Sequence, residues 1–313
     1  MIELYTYSQL LKSHPIYNLH RDEIHNIYRS LGFEGNLNIE SLASVFLGAF
    51  PELESILHKN LNLYKDKFEL NSRQAMKGVK FVCYGEKDYP SQCYLMADSP
   101  LCLSYVGTPC WQAGGSMSIV GSREPSSESL LWMEQELSSF LTKAKPLVVS
   151  GGARGVDQKA HALALRKLCT TAVILPSGLG EIYPESLKDW VRPIIDQGGC
   201  LISEYDYQQK MHKHLFHHRN RLIAALGTVT LLVEARRRSG TLITAHQAAQ
   251  LGRPVLVVPG HPQDPHFQGS LDLLFEGAQM ARDAEDLLML FHSELINEKM
   301  DSVGVVGFSR ENH

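Results

Sequence analysis

The residues with the clearest chemistry lie between Phe216 and Thr241, in the run FHHRNRLIAALGTVTLLVEARRRSGT. Arg219, Arg221, Arg236, Arg237 and Arg238 flank an apolar segment that reads as a buried strand. Ser239-Gly240-Thr241 then forms a small-residue turn able to open a helix. Guanidinium groups beside backbone N–H groups at a helix start are suited to phosphate. Gly121-Ser122-Arg123 and Ser150-Gly151-Gly152-Ala153-Arg154-Gly155 repeat the combination. Three such turns on one sheet point to an extended polyanion. Seven basic residues stand between Lys210 and Arg238 against Glu234 alone, although the chain carries a net charge of −4. The acidity is terminal: from Arg282 onward three basic residues face seven acidic ones. Attraction of a polyanion follows the distribution of charge more than its sum.

Asp157 follows the second turn and is placed to cap or orient the next helix. Arg219-Asn220-Arg221 reads as the opening of a helix that runs to Leu226. Two cations at a helix start are disfavoured by the dipole, and a bound anion would relieve that conflict. Glu204, at a strand end, is placed to hold a neighbouring arginine. Phe216, Phe267 and Tyr183 are the candidate stacking partners for bases. Other chemistries find no support. The second turn is neither G-x-G-x-x-G nor G-x-x-x-x-G-K-[ST]. The histidines of MHKHLFHH lack the cysteine or carboxylate neighbours of a zinc pattern. No G-x-S-x-G elbow is present. No catalytic residue, cofactor or metal is expected.

The elements that must position these turns form an alternating pattern. Apolar residues make up 44% of the 313 and charged residues 20%, as in an ordinary globular chain. No run of about 18 apolar residues offers a membrane span. The start, MIELYTYSQLLKSHPIY, lacks the basic and apolar regions of a signal peptide. The six cysteines contain no C-x-x-C pair and read as reduced, mostly buried thiols of a cytoplasmic protein. Residues 1–75 read as a small helical domain, with Ile24, Ile27, Tyr28 and Leu31 on one face. From Val79 the runs VKFVCYG, LCLSYVG, SMSIVG, PLVVSG, TAVILP, GCLISE, TVTLLVE and RPVLVVPG read as strands. Helices are expected over Ser126–Thr142, Val156–Leu168, Glu185–Ile195, Arg219–Leu226 and Thr241–Leu251. Uniformly apolar strands separated by helices indicate an α/β protein whose parallel sheet is covered on both faces. Ligands of such sheets bind outside the carboxyl ends of the strands, where all three turns fall. The sheet domain is placed at residues 78–290. Residues 291–313 are read as a short tail with no winged-helix domain, its closing run DSVGVVGFSRENH being loose.

Read together in order, these motifs resemble the DprA/Smf family of DNA-processing proteins. The resemblance rests on YPSQ at Tyr89, IVGSREPS at Ile119, VVSGGARGVDQKAH at Val148, IYP at Ile182 and LISEY at Leu201. It continues through RNRLIAAL at Arg219, LLVEA at Leu231, SGTLITA at Ser239 and GRPVLVVPG at Gly252. His217 stands where the family usually has proline, and Leu271 where it usually has asparagine. The resemblance implies an extended Rossmann-like domain that binds single-stranded DNA, dimerises, and loads the RecA recombinase during natural transformation. Carried onto this chain, it implies phosphate binding by Gly121, Ser122 and Arg123. It extends to Ser150, Gly151, Gly152, Arg154, Gly155 and Asp157, then to Arg219, Asn220 and Arg221, and then to Ser239, Gly240 and Thr241. The competing reading is a nucleotide-processing enzyme of the LOG, or lysine-decarboxylase-like, Rossmann group. This chain has Thr244 where that group places its glutamate, so the general acid–base carboxylate is missing.

Overall fold

Short strands that are apolar on both sides need helices on both faces of their sheet, and the chain supplies them. The computed structural model describes residues 78–112 and 114–307, together with Glu23, Ile24 and Asn26. The expected helical domain over residues 1–75 otherwise lies outside the described residues. Nine strands form one sheet: β1 (Val79–Cys83), β2 (Cys102–Gly107), β3 (Ser116–Val120), β4 (Leu147–Ser150), β5 (Thr171–Ile174), β6 (Cys200–Ser203), β7 (Val229–Leu232), β8 (Val255–Val257) and β9 (Gln279–Met280). Their order is β1-β2-β6-β5-β4-β3-β7-β8-β9.

From β6 to β9 every pairing is parallel, the extended Rossmann-like arrangement expected from the sequence. β2 pairs antiparallel with both β1 and β6, so the complete sheet is mixed. The eight expected strands all form. The added ninth, β9, is two exposed residues long and has no hydrophobic pattern to announce it.

The helices are α1 (Ser127–Trp132), α2 (Ser138–Ala144), α3 (Val156–Arg166), α4 (Lys188–Asp196), α5 (Lys213–Leu226), α6 (Gly240–Gln250), α7 (Gln268–Phe275) and α8 (Ala284–Gly307). A π-turn at Met133–Leu137 joins α1 to α2. Successive strand residues point to opposite faces. Met117, Ile119 and Val148 pack under α3, α8 and the α1–α2 unit, with Phe140, Leu163, Leu287 and Phe291. Val120, Val149 and Ile174 pack on the other face under α5 and α6, with Leu222, Ala225, Ala245 and Ala248.

Three expectations are corrected. α5 begins at Lys213 rather than Arg219, because the histidine run is helical and Arg219-Asn220-Arg221 lies in mid-helix. α8 runs through the expected boundary at 290 to Gly307. The segment read as a short tail outside the sheet domain starts with Phe291, which is buried edge-on against Phe140 at 5.5 Å. Cys83 and Cys102 are not reduced thiols: the β1–β2 register sets them directly opposite, Cα–Cα 4.1 Å, and they form a disulfide. Cys93, Cys110, Cys169 and Cys200 are free and buried, as expected.

Two buried serines of β3 fix α5. Ser116 Oγ donates to Leu226 O at 2.6 Å and Ser118 Oγ to Ile223 O at 2.5 Å. These are last-turn carbonyls with no partner inside a helix. Gly227 permits the approach, since a Cβ there would overlap Ser118 Oγ. The C-terminus of α5 is thereby held beside the start of β3, and its earlier turns lie toward the carboxyl ends of the strands. Phe291→Ala should lower unfolding free energy by about 3–5 kcal/mol, because the ring is lost from a closed core. Urea denaturation followed by circular dichroism measures it. A change below about 0.5 kcal/mol would place α8 outside the core.

Candidate nucleic-acid interface

The three expected turns sit at the carboxyl ends of three adjacent strands, β4, β3 and β7, and they touch. Gly121 to Arg123 leave β3, and Ser126 then caps α1 by accepting from Ser129 N at 3.2 Å. Glu234, just past β7, anchors that cap. Its Oε2 accepts from Ser126 N at 2.8 Å, Ser126 Oγ at 2.6 Å and Ser129 Oγ at 2.7 Å. The second turn locks against the first: Val156 N donates to Ser122 O at 3.1 Å. Gly155 has φ +82°, and a Cβ there would run into the Ser122 and Arg123 carbonyl groups. The third turn is tied on by Thr241 Oγ1, which donates to Gly121 O at 3.0 Å. Ser239 caps α6, its hydroxyl accepting from Thr241 N at 3.2 Å. Asn220 Nδ2 reaches Gly240 O at 3.5 Å.

The expected site residues divide by exposure. Arg123, Arg154 and Gly240 are exposed, and Gly121, Ser122, Gly155, Asn220, Ser239 and Thr241 are half-buried. Arg123 and Arg154 have no carboxylate within ion-pair distance among the described residues, and neither does Arg238, which precedes the third turn. The Arg123 guanidinium lies 4.9 Å from the centroid of the Phe216 ring, and Arg219 approaches the same ring at 5.8 Å. Tyr183 meets Phe216 edge-on at 5.8 Å and is 40% exposed. Arg123, Phe216, Tyr183 and the three turns therefore share one surface. Phe267, the third stacking candidate, is buried.

Six expected ligands are interior. Ser150 is fully buried and spends its hydroxyl on Ile119 O at 2.6 Å, stapling β4 to β3. Gly151 and Gly152 are buried beneath the turn. Arg221 lies 2.5 Å from Glu204 and 3.0 Å from Asp98 and is 6% exposed. Burial works against its charge, but Glu204 and Asp98 outweigh that and hold its pKa above the ordinary arginine value. It neutralises carboxylates inside the protein and does not face the surface. The strand-end role expected of Glu204 is the one it plays.

Arg219 is also interior and supports the turn from below. Its Nη1 donates to Gly151 O at 2.7 Å and to Ile174 O, and a Cβ on Gly151 would overlap the guanidinium. Burial pulls its pKa down to about 10, with Asp157 acting the other way. Asp157 is buried and its Oδ2 accepts from Ala153 N at 3.3 Å. Burial pushes its pKa up to about 6 against the pull of Arg219 and that amide. Anchoring by Glu234 was not anticipated. Its signal was a lone carboxylate closing an apolar strand run, LLVE, beside a turn rich in serine.

Comparison with known proteins places the chain in a family. Residues 80–292 match the model for DNA recombination-mediator protein A. The chain belongs to that family. It is 31% identical over 240 residues to Protein Smf of Synechocystis, which covers 75% of this chain and 59% of that protein's length. It is 28% identical over 287 residues to DNA processing protein DprA of Streptococcus pneumoniae, covering 90% of this chain and 99% of the relative. The X-ray structure of the S. pneumoniae DprA superposes with a TM-score of 0.73 at 26% identity, over 86% of this chain and 93% of the other. DNA processing protein A of Helicobacter pylori, whose single-stranded DNA binding mode has been described structurally, superposes with a TM-score of 0.61 at 29% identity. It covers 69% of this chain and 96% of that one.

The arginines of this chain thus fall into two classes, which separate in a stability measurement. Arg221→Ala should cost about 3–5 kcal/mol by stranding Glu204, whereas Arg123→Ala should stay within about 0.5 kcal/mol of the parent. Denaturant midpoints of the two variants check this.

Proposed function

We propose that this chain binds single-stranded DNA along the surface formed by the strand-end turns of β4, β3 and β7. The observation that carries the reading is the meeting of Arg123 with Phe216 over three interlocked turns. A cation for the phosphate and a ring for the base at one place suit an unpaired strand. Arg154 and Arg238 extend the cationic surface to either side. Gly121, Ser122, Gly155, Asn220 and the Ser239–Thr241 turn line it, while Asp157, Arg219 and the Ser150–Gly152 strand end support it from below. The H. pylori relative, characterised with single-stranded DNA, supports the same polymer for this chain.

The protein acts here without catalysis. Thr244, standing where the LOG-type enzymes have glutamate, is buried on the inner side of α6 and supplies no general base. The family's description as a recombination mediator supports loading of RecA onto the bound strand, as in natural transformation. That role places the protein in the cytoplasm with DNA and recombinase. No helix among the described residues is long and apolar enough to cross a membrane. A homodimer forms on the β9 side. Phe275 of α7 is 95% exposed and Met280 of β9 is 49% exposed, beside the last strand of the sheet. An exposed apolar patch next to an open strand edge is a natural self-association surface.

Fluorescence anisotropy with single- and double-stranded oligonucleotides across a salt series tests the reading. Single strands should bind more tightly. The logarithm of affinity should fall linearly with the logarithm of salt, by about 0.7 per phosphate neutralised. Arg123→Ala should weaken binding by roughly 5- to 30-fold, the equivalent of one or two kcal/mol. Unchanged affinity in that folded variant would sink the assignment. Phe275→Glu should shift light scattering from dimer to monomer mass. A monomeric parent protein would remove the dimer from the reading.

A further inference from the structure

Asp157 is a carboxylate buried under a turn that, on the reading above, meets phosphate. Its Oδ2 accepts from Ala153 N, and the Gly151 amide and the Ser150 side chain also favour its charge, so the turn directs donors inward at a resident anion. Among the described residues no cation lies within ion-pair distance of it. Arg219 is the nearest cation acting on it, but its Nη1 hydrogen bonds go to Gly151 O and Ile174 O, and its Nε is buried without a partner. The other groups around α3 are committed. The Ser150 hydroxyl lies 2.6 Å from Ile119 O, to which it donates, and is close enough to Asp157 to favour the charged carboxylate as well. Lys159 and Arg166 pair with Glu134 on the π-turn. His161 shares the helix face one turn on and is neutral. Thr171 Oγ1 gives its hydrogen to Val148 O, so His161 Nδ1 donates to Thr171, and burial lowers the ring's pKa to about 3. Outside the turn, Arg123 and Arg154 face solvent.

A phosphate arriving on this turn brings a second negative charge close to the carboxylate, in a region too buried for water to screen well. Two like charges in such a place favour the protonated acid. We propose that Asp157 is the positioning residue of the phosphate turn, and that binding of a DNA phosphate there is coupled to uptake of a proton by its carboxyl group. This rests on the single-stranded DNA reading and names a control on it. The carboxyl's resting value of about 6 puts that proton within reach of ordinary solution conditions. The sign follows. The protonated form binds phosphate better, so affinity rises as pH falls toward that value. An Asp157→Asn variant, which keeps an oxygen for Ala153 N, should bind at the tight level throughout.

The test is anisotropy of a labelled oligothymidylate at fixed ionic strength between about pH 5 and pH 8, on the parent and on Asp157→Asn. The parent should gain roughly 3- to 10-fold in affinity on acidification, tenfold corresponding to a one-unit rise in the carboxyl pKa on binding. His212, His214, His217 and His218 of the α5 region are common to both proteins, so the difference between the two is the quantity read. The variant should lose most of the gain. If it keeps the parent's full pH dependence, another group carries it and the proposal is wrong. If the parent binds no single strand at any pH, the DNA reading itself fails, a different outcome. Should Asp157→Asn not fold, carbon-13 NMR of the Asp157 carboxyl in the parent decides. Its titration midpoint should move upward when oligothymidylate is added, and a midpoint that stays or falls overturns the coupling.

Discussion

The constraint on which the site depends is the capping of α5 by Ser116 and Ser118. A helix end buried against a sheet must find partners for its last carbonyls. β3 provides hydroxyls at two alternate positions, and Gly227 lets the backbones come close enough to use them. That junction sets how far α5 projects past the strands. Arg219 then arrives under the turn after β4 and Phe216 beside the turn after β3. A hydrophobic contact could slide by part of a turn at little cost, whereas two hydroxyl–carbonyl bonds in a dry interface fix the register.

Identical side chains acquire opposite roles from this placement. Arg219, Arg221 and Arg123 all look like phosphate ligands in a sequence. Arg221 is sealed between Glu204 and Asp98, where leaving either partner unpaired would be expensive. Arg219 is spent on two carbonyls and holds Gly151 in place. Arg123 is left over a ring with no internal anion. Much of the basic excess counted between Lys210 and Arg238 is therefore internal or matched, Arg237 by Asp272 among others. The free cations are fewer than the sequence suggests, and they are concentrated where the strands end.

The strands were legible because four or five consecutive apolar residues between turns leave few alternatives, and the three turns were legible because glycine, serine and arginine cluster at their ends. The start of α5 was not. Histidine is an indifferent helix former, His212 provides no capping bond, and nothing in MHKHLFHH distinguishes a loop from a helix whose packing is supplied by β3. The Cys83–Cys102 link was equally hidden, since it depends on antiparallel register and not on spacing along the chain. α8 went unread for a third reason. Its inner face, Leu287 and Phe291, is a helical repeat, but the following GVVG obscures it. Arg221 shows the limit of reading charge from sequence: the carboxylates that take it come from distant parts of the chain.

The topology itself argues for a polymer over a small ligand. From β3 the chain winds through β4, β5 and β6 on one side, then crosses by α5 to β7 and β8 on the other. The switch point falls between β3 and β7, where Thr241 meets Gly121. A mononucleotide fold uses one turn at such a crevice. Here the neighbouring β4 turn joins it, and Gly155 packs on Ser122 with no gap between them. Adjacent strands lie about 4.8 Å apart, so turns on three of them span about 10 Å. Arg154 on the β4 side and Arg238 on the β7 side suit successive phosphates of a chain, and a flexible chain can bend to follow the twist of the strand ends while presenting its bases to Phe216 and Tyr183.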